Sequence, residues 1–128
     1  MIRPFIASIL GAVAILSYAY FWLALSVPAH GGETCGEASF YGAGHQGKTM
    51  ANGRPFNRHA LTAAMWGPKF GTRYLVRNVQ NGKTVQIVIT DRGPAKRLNR
   101  LIDLSEAAFT RLAPTAQGVI KTVCLERL

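Results

Sequence analysis

The chain has 128 residues, 48% of them hydrophobic, and carries 15 Lys and Arg against 6 Asp and Glu. That length holds one domain, and the Val-, Ile- and aromatic-rich stretches of its C-terminal part exclude disorder driven by low hydrophobicity. A polytopic membrane protein is excluded as well, since one long apolar run is present and no second follows it.

That run comes first. Residues 4–29 contain no charged side chain, and Arg3 precedes them. A basic start, an apolar stretch and the small residues of Val27-Pro28-Ala29 have the form of an export signal, with cleavage after Ala29. Phe5 to Val27 is also near the roughly 20 residues needed to cross a bilayer, so an uncleaved anchor is the alternative. On either reading residues 30–128 are exported. A lipoprotein signal does not fit, because Gly32-Glu33-Thr34 precedes Cys35 beyond the apolar run. Residues 30–128 hold 14 basic and 6 acidic side chains, net +8.

Cys35 and Cys124 bracket this exported part. In an oxidising compartment an isolated pair is expected to form a disulfide, and closing so long a loop stabilises by up to about 4–5 kcal/mol in the entropy model. The two Cys and His30, His45 and His59 show no metal-ligand spacing, so no metal is expected.

Gly36 to Tyr41 reads as a first strand ending at Gly42, and residues 42–55, with five Gly or Pro, as loop. Ala60 to Met65 is a short alternating apolar stretch. Thr72 to Val79 is β-rich, Asn81-Gly82 signals a hairpin, and Lys83 to Thr90 is the clearest strand. In the latter Val85, Ile87 and Ile89 share one face and Thr84, Gln86 and Thr90 the other. Asp91-Arg92-Gly93-Pro94 ends it. Leu101-Ile102-Asp103 reads as a strand leading into a helix from Ser105 to Leu112, with Asp103 or Ser105 as cap and Glu106 in its first turn. Pro114 stops the helix, and Gly118 to Glu126 is a last strand. Many short strands with one small helix predict a compact, mainly β barrel.

The exported acids are Glu33, Glu37, Asp91, Asp103, Glu106 and Glu126. Asp91 continues the Val85/Ile87/Ile89 face by period two, which would set its carboxylate at the rim of an apolar interior and suit it to acid/base work. The competing reading is a turn-opening aspartate that accepts backbone N–H bonds. Asp103 is read as a helix cap and Glu106 as its capping-box or dipole partner. A hydrolytic glycosidase needs two carboxylates about the scissile bond, and nothing near Asp91 in sequence supplies the second. A lytic transglycosylase can work with one, which protonates the leaving oxygen and then takes a proton from the sugar's own hydroxyl. Tyr41, Trp66, Phe70 and Tyr74 offer flat faces to a sugar, although core packing is the commoner fate of aromatics. Lys96-Arg97-Leu98-Asn99-Arg100 is a solvated basic loop or a site for an anionic polymer; export argues against nucleic acid as that polymer.

The motifs Ala38-Ser39-Phe40-Tyr41-Gly42, Ala51-Asn52-Gly53, Ala60-Leu61-Thr62-Ala63-Ala64, Phe70-Gly71-Thr72, Asn81-Gly82-Lys83, Thr90-Asp91-Arg92-Gly93-Pro94 and Ile102-Asp103-Leu104-Ser105 occur in order. Together they resemble the double-psi β-barrel domain of the rare lipoprotein A family of bacterial cell-wall proteins, over nearly all of residues 36–126. The resemblance implies a six-stranded double-psi barrel, similar to barwin and to the first domain of expansins. It implies endolytic cleavage of peptidoglycan glycan strands lacking stem peptides, with 1,6-anhydromuramic ends and no cofactor, in the periplasm or cell envelope. The family's catalytic aspartate falls on Asp91; Tyr41, Asn52 and Arg92 are the groove candidates. Arg54 stands where the family usually has an acid, Met65 where it has a histidine, and Gln46 replaces another histidine, with His45 adjacent. These departures favour a second expectation, a non-enzymatic glycan-binding module of expansin or barwin type. A third is a basic exported protein that binds another anionic polymer or a protein. A monomer is expected.

Overall fold

The computed structural model describes residues 32–128, so the segment read as signal or anchor (1–29) lies outside the described residues. Six strands form a closed barrel: β1 (Thr34–Tyr41), β2 (Thr62–Ala64), β3 (Arg73–Asn78), β4 (Thr84–Asp91), β5 (Ile102–Ser105) and β6 (Val119–Arg127). Their order around the barrel is β1-β5-β2-β4-β3-β6. The pairs β1/β5 and β2/β4 are parallel and the others antiparallel, as a six-stranded double-psi barrel requires. Closure leaves no free sheet edge, so the backbone groups of short strands find partners all the way round.

The interior follows from period two. Val85, Ile87 and Ile89 of β4 point inward and are buried, and Val76, Ile102, Leu104, Ile120, Val123 and Leu125 meet them from the other strands. Each such side chain contributes about 1.5–3 kcal/mol when buried. Helix α1 (Glu106–Leu112) closes the core with Ala108, Phe109 and Leu112, and Phe109 packs on Phe40 at 4.6 Å between ring centroids.

Ser105 is the helix cap. Its Oγ accepts from Ala108 N at 3.2 Å, accepts from Thr62 N at 3.3 Å, and donates to Ala60 O at 2.6 Å. One fully buried hydroxyl therefore starts the helix and pins β2. The expectation that Asp103 shares this role is corrected: it lies inside β5, and Ser105 alone caps. Glu106 is then the first helical residue, outside capping-box spacing, and pairs with Arg58 at 3.5 Å. At the other end of α1, Asn78 and Asn81 Nδ2 donate to Leu112 O at 3.1 and 2.9 Å, satisfying a carbonyl left over by the helix.

The β3–β4 hairpin forms where Asn81-Gly82 predicts it, with residues 79–83 between the two strands, one residue more on each side than expected. Asn78 N donates to Lys83 O at 2.9 Å, and Gly82 takes φ 75°. The Asn78 side chain braces the turn, its Oδ1 accepting from Gln80 N at 3.1 Å while its Nδ2 holds Leu112 O. β1 starts two residues earlier than expected because its register on β6 sets Cys35 opposite Cys124, where the two are disulfide-bonded. Glu33 lies beside these sulfurs, but both are consumed by the bond, so the group offers no thiolate.

The β1–β6 register shifts between Gly36 and Ala38. A Cβ at Gly36 would stand 2.7 Å from Leu101 Cβ, a distance that backbone or side chain must relieve. Gly36→Ala is therefore expected to cost about 1–3 kcal/mol, read as a lower urea midpoint at unchanged slope.

Candidate active site

β1, β2 and β4 end around one pocket of about 770 Å³. The strand register builds its floor. Ser39 of β1 pairs with Asp103 of β5, Asp103 with Ala64 of β2, and Ala64 with Asp91 of β4. Four neighbouring strands thus present a row Ser39–Asp103–Ala64–Asp91, all lining the pocket. At about 4.8 Å per strand, the two aspartate Cα atoms stand about 10 Å apart across Ala64, whose methyl leaves the space between them open.

Asp91 reaches this row through an irregularity. Thr62 and Ala63 pair with Val88 and Ile89, but Ala64 pairs with Asp91, so Thr90 is the extra residue of a bulge. Bulges at barrel rims re-aim the side chains that follow them. Asp91 Oδ1 accepts from Ala51 N and from Arg92 N, each at 2.8 Å. Asp91 therefore ends the strand as a backbone acceptor, as the turn reading has it, and it also lines the pocket. Among the described residues Oδ2 has no such partner.

Asp103 accepts a hydrogen bond from Ser39 Oγ at 3.2 Å. Burial pushes its carboxyl up from the ordinary 3.8 to about 6, opposed by the Ser39 hydrogen bond and by the His45 and Arg100 charges, and reinforced by Asp91. The sequence hid this second carboxylate because Asp103 and Ser105 are both plausible caps. The available signal was parity, since Asp103 and Ser105 share a strand face and only one of them starts the helix.

A carboxyl whose folded value exceeds its unfolded one stabilises fully below about pH 4 and loses that contribution as pH rises through about 6. The difference corresponds to about 3 kcal/mol. Asp103→Asn keeps an acceptor for Ser39 and should flatten this dependence, so that stability at pH 7.5 approaches that at pH 4. Urea unfolding of both proteins at the two pH values checks it; parallel pH dependences would refute it.

Tyr41 lines the pocket, is buried, and stacks on Phe56 at 4.3 Å and edge-on to His45 at 5.7 Å. Burial, then the Asp91 and Asp103 charges, push its phenol further up from its ordinary value. Its hydroxyl and the neighbouring Thr62 Oγ1 are buried without hydrogen-bond partners of good geometry. Asn52 does not line the pocket. Its Oδ1 accepts from Arg54 N at 3.0 Å and its N donates to Thr90 O at 3.3 Å, which anchors the loop that supplies Ala51 N to Asp91.

Arg92 lines the pocket, but its Nη1 donates to Met65 O at 2.9 Å and Pro68 O at 2.6 Å, and its Cζ lies 4.1 Å over Phe70. Trp66 similarly donates to Pro94 O at 2.6 Å, with Lys96 Nζ 4.8 Å above its ring. These two exposed aromatics brace the segment after Asp91. Tyr74 packs partly buried against the core. Met65 is buried in the core cluster, while Arg54 and Gln46 are exposed; Gln46 Oε1 accepts from Arg58 N at 2.8 Å. None of these three lines the pocket, whereas His45 does.

A closed six-stranded double-psi barrel with two aspartates on one pocket floor defines a class of small acid-bearing barrels. A family model described as "lytic transglycolase" matches residues 33–124, and the chain belongs to that family. Among its relatives, the probable endolytic peptidoglycan transglycosylase RlpA of Synechocystis sp. is 46% identical over 84 residues, covering 66% of this chain and 26% of the relative. The endolytic peptidoglycan transglycosylase RlpA of Campylobacter jejuni is 42% identical over 88 residues, covering 68% and 32%. The chain thus spans between 23% and 39% of the length of the curated relatives it matches. Among solved structures, the Streptomyces papain inhibitor superposes with a TM-score of 0.63 at 26% identity, over 77% of this chain and 96% of that one. An apo expansin of Clavibacter michiganensis gives 0.58 at 26% identity, over 76% and 50%.

Proposed function

We propose that the chain is an exported endolytic transglycosylase of peptidoglycan glycan strands, with Asp91 as its general acid and base. The observation that carries this reading is the Asp91 carboxylate, held by two backbone N–H groups on the pocket floor. With Oδ1 committed to Ala51 N and Arg92 N, Oδ2 is the oxygen through which a proton is passed. Oδ2 gives it to the glycosidic oxygen as the C1–O bond breaks, and the leaving sugar departs as an alcohol. The muramic C6 hydroxyl then closes on C1, and Asp91 takes its proton, which restores the acid. The product is a 1,6-anhydro ring, with no water consumed. Asp103, across Ala64, is the second carboxyl within reach of the bound sugars and stabilises positive charge developing at C1 when ionised. Tyr41 supplies an apolar wall. The names of the RlpA relatives support the substrate, and they support a cell-envelope location. We place residues 1–29 as the export signal or anchor and 30–128 as the barrel domain, acting as a monomer.

A second reading, a glycan-binding module without turnover, is favoured by Arg54 and Met65, one exposed and one in the core, neither on the pocket wall. Mass spectrometry of sugars released from amidase-stripped peptidoglycan by the purified full chain separates the two. Anhydromuramic ends establish the transglycosylase; no release with continued co-sedimentation establishes the binding module.

A further inference from the structure

Three arginines of the segment after β4 line the pocket, and they differ in what they already hold. Arg92 is bound to two carbonyls and to Phe70. Arg100 Nε is paired with Glu37 Oε1 at 2.8 Å. Arg97 lines the same pocket from the 3₁₀ turn Lys96–Leu98, is exposed, and among the described residues has no ion pair or side-chain hydrogen bond. The pocket therefore has an acidic floor, Asp91 and Asp103, and one uncommitted guanidinium on its wall.

A neutral glycan gives such a guanidinium nothing to pair with. The muramic acid residue does, because its 3-O-lactyl group is an amide while a stem peptide is attached and a free carboxylate once the peptide is removed. That carboxylate rides on the very ring whose C1 must be set over Asp91, so it lies within one sugar of the floor. Placed on the floor it would meet two aspartates; placed on the wall it would meet Arg97. A planar guanidinium with both ends free matches a carboxylate in a bidentate way.

We propose that Arg97 is a specificity-determining residue which binds the free lactyl carboxylate of muramic acid and thereby selects peptide-free strands. The assignment rests on the transglycosylase reading for its substrate, but its test reads binding instead of turnover. Full chains carrying Asp91→Asn, which cannot cleave, are co-sedimented with amidase-stripped strands and with the same strands converted to methylamides by carbodiimide coupling.

Methylamidation should weaken binding by roughly tenfold, and Arg97→Ala should weaken binding of the acidic strands by a similar factor. Arg97→Ala should leave binding of the amidated strands unchanged, since the partner is already gone. Arg97→Lys should recover part of the loss. Arg73→Ala, which removes an equal charge from β3 away from the pocket wall, should not reproduce it. Equal binding of both strand types by the parent overturns the proposal, and so does an Arg97→Ala loss that is the same on both. Failure of the transglycosylase reading shows separately, as absence of anhydromuramic ends from the Asp91 chain while the charge selectivity persists.

Discussion

Asp91→Asn is expected to lower the release of anhydromuramic ends by about 10²–10⁴-fold, the usual contribution of a positioned acid/base group. The amide is the informative replacement. Its Oδ1 still accepts from Ala51 N and Arg92 N, at 2.8 Å each in the parent, so the loop 50–54 and the segment after β4 keep their anchor. Its nitrogen cannot donate a proton to a leaving oxygen and return to a base. Asp91→Ala would mix two effects, because it also strands two N–H groups at about 1–3 kcal/mol each if water does not reach them. The check is the rate of anhydro-end formation beside co-sedimentation with the same strands. Turnover by Asp91→Asn at the parent rate would remove Asp91 from the chemistry, while loss of both turnover and binding would assign it to the groove.

The second large effect is on stability. Replacing Cys35 and Cys124 together by Ser is expected to cost about 2–5 kcal/mol, which for a domain near 100 residues lowers the melting temperature by at least about 10 °C. The bond closes 89 residues of chain and joins the two strands, β1 and β6, whose pairing completes the barrel. Loss of the bond frees the first and last strands in the unfolded chain at once. Thermal unfolding with and without a reductant, and of the double variant, measures it. An unchanged midpoint would mean that the β1–β6 ladder holds the barrel closed unaided. Below the melting range the variant should keep its binding, because neither cysteine lines the pocket.

The fold was largely legible because its signals are local. The alternation of Val85, Ile87 and Ile89 declares a half-buried strand, Asn81-Gly82 a turn, and Ser105 before an apolar helix a cap. The pairing Cys35–Cys124 follows from there being two cysteines in a segment read as exported, and the ordered run of seven motifs points to the double-psi family. What these signals missed was also physical. The strands of the β3–β4 hairpin stop at Asn78 and Thr84, one residue short of expectation on each side, and Asp103 reads as a cap because strand and cap residues of the same type look alike until the first helical residue is known.

Sequence by itself determined the strands, the covalent closure and the candidacy of Asp91, because periodicity, turn chemistry and cysteine count act over a few residues or need no geometry. Tertiary structure alone decided the site. Ser39, Asp103, Ala64 and Asp91 come from four strands widely separated along the chain, and only barrel closure and one extra residue at Thr90 bring them into a row. The same holds for charge: the fourteen basic residues of 30–128 read as a general positive field, while only the fold shows which arginines line the pocket and that Arg97 alone among those holds no side-chain partner among the described residues. A net charge is a sum over composition, but which cation is free depends on which acids the fold has set beside the others.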